Sequence, residues 1–266
     1  MCWDTVLGMT DPVVRIFDEL AEDYDGEVPF FQSFGQQVAD ALPPPAPGAT
    51  LIDIGAGAGA IAVPAARLGY RVSAVDGAPA MVARLSTMVD ARQALADALP
   101  FPDASFNVAT AGFVLHIVPD PAAALAEIKR VLRPGGRLFL TIVGEWPPGL
   151  PRLDSADEVF EEFSRYVPKD GGMGTDLTPG PALAAAGFSD ITGGHLHVDL
   201  PLRSPESLWR WYLTHGSRKF IEDLRPIGGP SSATASWPTP RPASRSSSAG
   251  PPSSGPLAPE FVVPQD

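Results

Sequence analysis

The stretch 51-LIDIGAGAG-59 joins a short apolar segment to three glycines at alternate positions. Residues 50–54 are mostly apolar and rich in β-forming side chains, which predicts a strand buried on both faces of a parallel sheet. The glycines predict a turn that accepts positive φ and lets a ligand approach the backbone. Residues 60–68 continue as a helix with Gly69 as its C-terminal cap, so the segment predicts strand, turn and helix.

A second strand is predicted at residues 70–75, and Asp76 stands at its carboxyl end. Open α/β sheets bind ligands at the carboxyl ends of their strands. A carboxylate in that position can accept hydrogen bonds from both hydroxyls of a ribose. The order strand, glycine turn, helix, strand, acid therefore predicts a pocket for an adenosine-containing ligand.

The class of that ligand depends on an acid next to the turn. The glycine spacing also fits GxGxxA, the pattern of nicotinamide and flavin sites. Asp53, two residues before the first glycine, stands where dinucleotide sites usually carry an apolar residue. An acid there favours a methyl donor, because S-adenosylmethionine carries an ammonium group and a sulfonium.

Four motifs in this order resemble those of class I S-adenosylmethionine-dependent methyltransferases of the small-molecule, ubiquinone/menaquinone type (methyltransferase type 11 domain). They are 53-DIGAGAG-59, 75-VDG-77, 97-DALPFPDASF-106 and 131-VLRPGGRL-138. The resemblance implies an α/β fold with a Rossmann-like, doubly wound, mostly parallel sheet and helices on both faces. It also implies S-adenosylmethionine as the methyl donor and a small-molecule acceptor that attacks through oxygen, nitrogen or carbon.

The resemblance further implies which residues hold the donor. Asp53 and the loop glycines would hold the methionine end, Asp76 the ribose and Asp97 the adenine amine. The shorter spacing than usual between Asp76 and Asp97 departs from the family pattern. Tyr24 would line the site from amino-terminal helices that close over the donor. The full set of expected donor-binding residues is Tyr24, Asp53, Gly55, Ala56, Gly57, Asp76, Gly77, Asp97 and Ala98.

Three further residues are candidates for binding or activating the acceptor. His116 ends the predicted fourth strand, residues 107–115, and is either a general base for a substrate hydroxyl or a histidine that shapes the loop. Tyr212 and His215 lie in the helical, aromatic-rich stretch 205–224. This stretch forms part of the acceptor pocket in related methyltransferases, and core packing is the alternative explanation.

The composition restricts the class of protein. With 266 residues, 44% of them hydrophobic, the chain can bury one substantial core. A net charge of −12 with scattered Lys and Arg argues against nucleic acid as a partner. The sequence shows neither a signal peptide nor an apolar run of the ~20 residues that span a membrane, so we expect a cytoplasmic protein without membrane insertion. The only cysteine is Cys2, and the four histidines show no metal-site spacing. The oligomeric state is left open.

The sequence divides into three segments. Residues 1–10 are expected to be an irregular leader, residues 11–225 the methyltransferase domain, and residues 226–266 a disordered tail rich in Pro and Ser. The family fold needs a seventh strand, antiparallel between the fifth and the sixth. No tail segment alternates as a strand should, so that strand is expected to be missing. The tail is then either a natural proline-rich linker or a frameshifted reading of a GC-rich gene.

Two other functions remain as alternatives. One is a methyltransferase-like protein that binds the donor but is truncated or inactive. The other is an NAD(P)-dependent oxidoreductase, which would need a proton donor such as Tyr-x-x-x-Lys. None of the four tyrosines has a lysine four residues further on.

Overall fold

The computed structural model describes residues 11–26, 28–143, 162–166, 177–196, 198, 204–214, 217–224 and 260–264. The helices are α1 (Pro12–Leu20), α2 (Phe30–Ala41), α3 (Ala62–Leu68), α4 (Pro79–Leu85), α5 (Pro121–Val131), α6 (Pro179–Ala185), α7 (Pro205–Leu213) and α8 (Ser217–Asp223). The strands are β1 (Thr50–Ile54), β2 (Arg71–Asp76), β3 (Asp90–Gln93), β4 (Phe106–Gly112), β5 (Leu132–Ile142), β6 (Ile191–His195) and β7 (Glu260–Pro264).

These strands form one sheet of seven in the order β3-β2-β1-β4-β5-β7-β6. The pairs β1–β2, β1–β4, β2–β3 and β4–β5 are parallel. Only β7 runs against its neighbours, with antiparallel pairing to both β5 and β6. The chain order reverses at β1, between β2 and β4, where open sheets of this kind bind ligands. The predicted doubly wound α/β fold is confirmed.

The seventh strand comes from the segment predicted to be a tail without strands, and that prediction is wrong. Val262 lies opposite Leu140 of β5 and opposite Gly193 of β6. A strand with a partner on both edges has its backbone groups satisfied by pairing with segments distant in the chain. This pairing depends on backbone groups, so it can form where the side chains do not alternate in polarity. The sheet therefore contains its seventh strand. The frameshift hypothesis was based on the expected absence of that strand.

Both faces of the central strands are covered, as predicted for β1. On one face Ile54 belongs to a buried cluster with Leu140 of β5 and Ile128 of α5. On the other face Leu51 belongs to a cluster with Phe139 of β5 and helices α2 and α3. Adjacent residues of a strand point to opposite faces, which is why neighbours such as Phe139 and Leu140 enter different clusters. The parallel sheet is thereby held rigid at the edge where the glycine turn lies.

The two amino-terminal helices are fastened to that same edge. Asp18 of α1 accepts a hydrogen bond from the backbone N–H of Ala80 at 2.7 Å, near the start of α4. Helix α2 crosses the end of the glycine turn closely, because a Cβ on Gly35 would stand 2.2 Å from the carbonyl oxygen of Ala60. Only a glycine permits this approach. The helices therefore roof the carboxyl ends of β1 and β2.

The predicted leader, residues 1–10, lies outside the described residues. Of the predicted tail, residues 226–259 also lie outside them. Within the part of the chain that the structure describes, no helix is long and apolar enough to cross a membrane.

Candidate active site

The turn after β1 has the backbone conformation that its glycines predict. Gly55 and Gly57 have φ values of +63° and +51°. A Cβ on Gly55 would lie 2.4 Å from Cγ2 of Val114, so a side chain there would clash. At Gly57 such a Cβ would be in ordinary van der Waals contact with a ring carbon of Tyr24, at 3.7 Å. The Tyr24 ring therefore lies over the turn.

Asp76 connects this turn to the second strand. Its Oδ2 accepts the backbone N–H of Gly57 at 2.7 Å, and its Oδ1 accepts the N–H of Ala78 at 2.9 Å. Burial raises the pKa of the Asp76 carboxyl above its usual value, and these N–H donors act against that shift. The carboxylate thus braces the two loops between which an adenosine would lie.

Asp53 is the most deeply buried acid at the site, with 2% of its surface exposed. Its Oδ1 accepts the hydroxyl of Thr110 at 2.7 Å, and its Oδ2 accepts the N–H of Ala62 at 3.0 Å. Burial is the main cause that raises the pKa of Asp53 to about 7. The two hydrogen bonds lower this pKa, and the negative charge of Asp76 raises it further. Because so little of its surface is exposed, its influence on a ligand would be mainly electrostatic.

An aromatic pair lies over the glycine turn. The Tyr24 ring stacks on the Phe31 ring with centroids 5.0 Å apart and planes inclined by 14°. Phe31 belongs to the first turn of α2, and Tyr24 to the turn that precedes that helix. Burial raises the pKa of Tyr24 well above its usual value, so its hydroxyl stays protonated.

Asp25 holds this pair in place by capping α2. Its two carboxylate oxygens accept the N–H groups of Phe31 at 3.0 Å and of Gln32 at 2.7 Å. Pro29, at the usual capping position, has no side-chain acceptor to offer. Asp25 has φ of +59°, and burial is the main cause that raises its pKa to about 6. The cap fixes the first turn of α2, and with it the Phe31 ring.

Together these elements line a small cleft that is open to solvent. The cleft is lined by the turn residues Asp53, Gly55, Ala56 and Gly57 and by Tyr24, whose ring stacks on that of Phe31. Phe31, Phe34, Phe113 and Thr141 line it as well. We call the three phenylalanines the aromatic wall.

Comparison with known proteins identifies the family of this chain. Residues 52–140 match the family described as Methyltransferase domain. Over 240 residues the chain is 33% identical to Nocamycin O-methyltransferase of Saccharothrix syringae, covering 79% of this chain and 84% of that protein. The chain belongs to the class I S-adenosylmethionine-dependent methyltransferases. This family membership rules against the alternative of an NAD(P)-dependent oxidoreductase.

Other relatives of this methyltransferase agree with the assignment. Over 108 residues it is 40% identical to Ubiquinone biosynthesis O-methyltransferase of Xanthomonas oryzae pv. oryzae, which is 38% of this chain and 45% of that protein. A solved S-adenosylmethionine-dependent methyltransferase of Thermotoga maritima, described as a possible histamine N-methyltransferase, is similar with a TM-score of 0.55. That structure is 18% identical and covers 95% of this chain and 99% of its own, so it bears on the fold alone.

The residues expected at the adenine end lie in a turn beside Asp76. The N–H of Ala94 donates to the backbone oxygen of Asp76 at 3.0 Å, which starts the loop from β3 at this edge of the sheet. Asp97 and Ala98 follow in an exposed turn. Gly77 faces the same loop, because a Cβ on it would meet Leu95 at 3.2 Å. None of these residues lines the cleft, so their roles at the adenosine half of the site stay predictions.

The methyltransferase carries His116 further from the strand than expected. Strand β4 ends at Gly112, whereas the sequence predicted it to run to residue 115, and His116 lies in a following turn. Its Nδ1 is buried and has no hydrogen-bond partner in the described part of the chain. Burial lowers the pKa of His116, so the imidazole is neutral near neutral pH. It does not line the cleft.

Helix α7, which is rich in aromatic residues, packs against residues that line the cleft. Tyr212 packs on Trp211 with ring centroids 5.2 Å apart. Both contribute to a cluster that includes Phe34 and Phe113, two residues of the cleft wall. The structure therefore places Tyr212 behind the cleft, and His215 lies outside the described residues.

Sequence reasoning missed the aromatic wall. The sequence analysis predicts amino-terminal helices that close over the donor and names only Tyr24 in them, although the aromatic residues at positions 30, 31 and 34 are a usable signal. Phe113 and Thr141 had no signal, because the ends of β4 and β5 become neighbours only through the sheet. Among the described residues, no three His, Cys, Asp or Glu side chains are grouped to hold a metal ion.

Proposed function

We propose that this methyltransferase binds S-adenosylmethionine in the cleft and transfers its methyl group to an oxygen of a small-molecule acceptor. The observation that carries the proposal is the Asp76 carboxylate bonded to Gly57 N–H at 2.7 Å, beside the cleft that the turn forms. Oxygen as the attacking atom is supported by the relatives Nocamycin O-methyltransferase and Ubiquinone biosynthesis O-methyltransferase.

The residues present fit the donor. The glycine turn lines the cleft, and its backbone at Gly55 and Gly57 would hold the amino acid end of the donor. Asp53 provides negative charge near that end, and the Asp76 carboxylate has lone pairs for ribose hydroxyls beyond the two that it uses. The stacked rings of Tyr24 and Phe31 cover the turn and exclude water from it.

When bound, the donor would supply a methyl group on a sulfonium, and the acceptor oxygen would form its bond to that carbon as the S–CH₃ bond breaks and its electron pair returns to sulfur. The chain's own contribution is to hold the two reactants in line, which avoids much of the entropic cost of their encounter. The hydroxyl proton of the acceptor passes to solvent water. Asp53 and Asp76 stabilise the bound cation before transfer, and their braced geometry keeps the turn fixed during it.

Calorimetric titration with S-adenosylhomocysteine tests donor binding, and transfer of isotopically labelled methyl to a panel of hydroxylated aromatic and aliphatic compounds tests the reaction. We expect micromolar binding and product with a methyl ether. Asp40→Asn, an exposed change on α2, is the matched control for variants of the site acids. Binding without transfer to any acceptor would favour the alternative of an inactive donor-binding protein, and absence of binding would overturn the proposal.

A further inference from the structure

The aromatic wall contains a residue held in a strained conformation. Phe113, at the end of β4, has φ of +57°, where non-glycine residues are uncommon and bulky ones are strained. Its N–H donates to the carbonyl oxygen of Thr141 on β5 at 2.9 Å, which holds it there. The centroid of the Phe113 ring lies 5.6 Å from that of Phe31 and 5.5 Å from that of Phe34.

Thr141 offers a second, independent observation in the same cleft. Its side chain is 1% exposed and lines the cleft, and its Oγ1 has no hydrogen-bond partner in the described part of the chain. A buried hydroxyl without a partner is unfavourable for the free protein. A Cβ on Gly112 would lie 3.8 Å from this oxygen and 2.8 Å from Cδ1 of Ile61, so Ile61 packs over the glycine beside the hydroxyl.

We propose that Phe31, Phe34, Phe113 and Thr141 form the acceptor subsite, and that it takes a planar, conjugated, largely apolar compound with an oxygen that pairs with the Thr141 hydroxyl. This inference rests on the proposed function. The rings of Phe31, Phe34 and Phe113 all line the cleft and favour a flat π-system over a saturated skeleton. The unpartnered hydroxyl favours an acceptor with a polar atom over a pure hydrocarbon.

The test uses three probes of one carbon skeleton, titrated into the protein saturated with S-adenosylhomocysteine. They are 2-naphthol, naphthalene, and decahydro-2-naphthol, which keeps the hydroxyl but is not planar. We expect 2-naphthol to bind about 3- to 10-fold more tightly than either of the others. Thr141→Val should remove the preference over naphthalene, and Thr141→Ser should keep it. Phe113→Leu and Phe31→Leu should each reduce the preference over the saturated alcohol.

Two controls separate recognition from a structural role. Phe188→Leu changes a buried aromatic residue of the main core that is not part of the cleft, and should leave all three affinities unchanged. Thr141→Val should melt at the same temperature as the wild type or higher, because it removes a buried hydroxyl without a partner. A merely structural threonine would instead lose stability.

Equal affinities for the three probes, no binding of any of them, or an equal effect of Thr141→Val on 2-naphthol and naphthalene would overturn the inference. If S-adenosylhomocysteine binds and methyl transfer occurs but the aromatic preference is absent, only the acceptor class is wrong. If S-adenosylhomocysteine does not bind, the proposed function fails together with this inference.

Discussion

Gly57 donates its backbone N–H to Asp76 Oδ2 at 2.7 Å, which ties the turn after β1 to the carboxyl end of β2. The acid predicted to bind ribose is therefore also a brace for the glycine turn. Its second oxygen holds Ala78 in the same way at 2.9 Å. We therefore expect both donor affinity and local stability at this site to depend on one carboxylate.

Replacement of that carboxylate should affect both properties. Asp76→Ala removes the acceptor of two backbone N–H groups and a charge-assisted partner for ribose. We expect S-adenosylhomocysteine affinity to fall by about 10- to 100-fold, and the free energy of unfolding by about 1–3 kcal/mol. Calorimetry and urea unfolding measure these changes, with Asp40→Ala as the control. Unchanged affinity would mean that the ribose binds elsewhere.

Asp53 should make the free protein less stable as pH rises. Its pKa is raised to about 7 in the folded chain, so between its usual value and about 7 the folded state binds more protons than the unfolded state. This contribution to stability is full below the usual pKa and is lost as pH rises through about 7. Asp25, with pKa about 6, acts in the same direction, and His116, whose pKa is lowered, acts in the opposite one.

The measurement is urea unfolding at about pH 5.5 and about pH 8 for wild type and Asp53→Asn. The Asn amide can donate to Thr110 and accept from Ala62, so the variant keeps the geometry without titrating. We expect the wild type to lose on the order of 2 kcal/mol more than the variant across this interval. The same loss in both proteins would show that Asp53 is not the titrating group.

A cationic donor should reverse the preference of Asp53 for its protonated form. S-adenosylmethionine carries a sulfonium that S-adenosylhomocysteine lacks, so its binding favours the ionised Asp53. We expect the ratio of S-adenosylmethionine to S-adenosylhomocysteine affinity to rise as pH increases through about 7. Asp53→Asn should make that ratio independent of pH. A ratio that is flat in the wild type would place the sulfonium too far from Asp53 to interact.

Asp25 should control donor binding through the aromatic pair over the turn. Asp25→Ala removes the cap of α2 and leaves a residue that tolerates φ of +59° poorly. We expect a loss of about 1–2 kcal/mol in stability and weaker S-adenosylhomocysteine binding, since Phe31 and Tyr24 lose their fixed positions. Asp25→Asn, which tolerates this φ and keeps an acceptor oxygen, should retain most of both. Asp23→Ala, an exposed neighbour, is the control. If Asp25→Ala and the wild type bind S-adenosylhomocysteine equally well, the cap of α2 does not affect donor binding.

The parts of this molecule that follow from local sequence were predictable. Strand β1, the positive φ of Gly55 and the cap at Gly69, with φ of +105°, depend on residues close in the chain. Strand β7 was not predictable in this way, because its pairing partners in β5 and β6 are distant in sequence. The positive φ of Phe113 and the capping of α2 by Asp25 likewise depend on neighbours that only the fold supplies.

Arg130 is expected to act on the adenine end of the donor without touching it. Its guanidinium donates to the backbone oxygens of Leu99 at 3.1 Å and Phe101 at 2.8 Å, and pairs with Glu127 at 2.6 Å. Glu127 in turn accepts the N–H of Leu99 at 2.9 Å. These bonds fix the loop that follows Asp97, the residue predicted to accept from adenine.

Arg130→Met keeps the length of the aliphatic stem but removes all of these bonds. We expect S-adenosylhomocysteine to bind about 3- to 10-fold more weakly, whereas S-ribosylhomocysteine, which lacks adenine, should bind as it does to the wild type. Arg71→Met, an exposed change at the start of β2, controls for loss of a surface cation. A purely structural Arg130 would weaken both ligands alike, and that result would mean that the loop after Asp97 does not position the adenine.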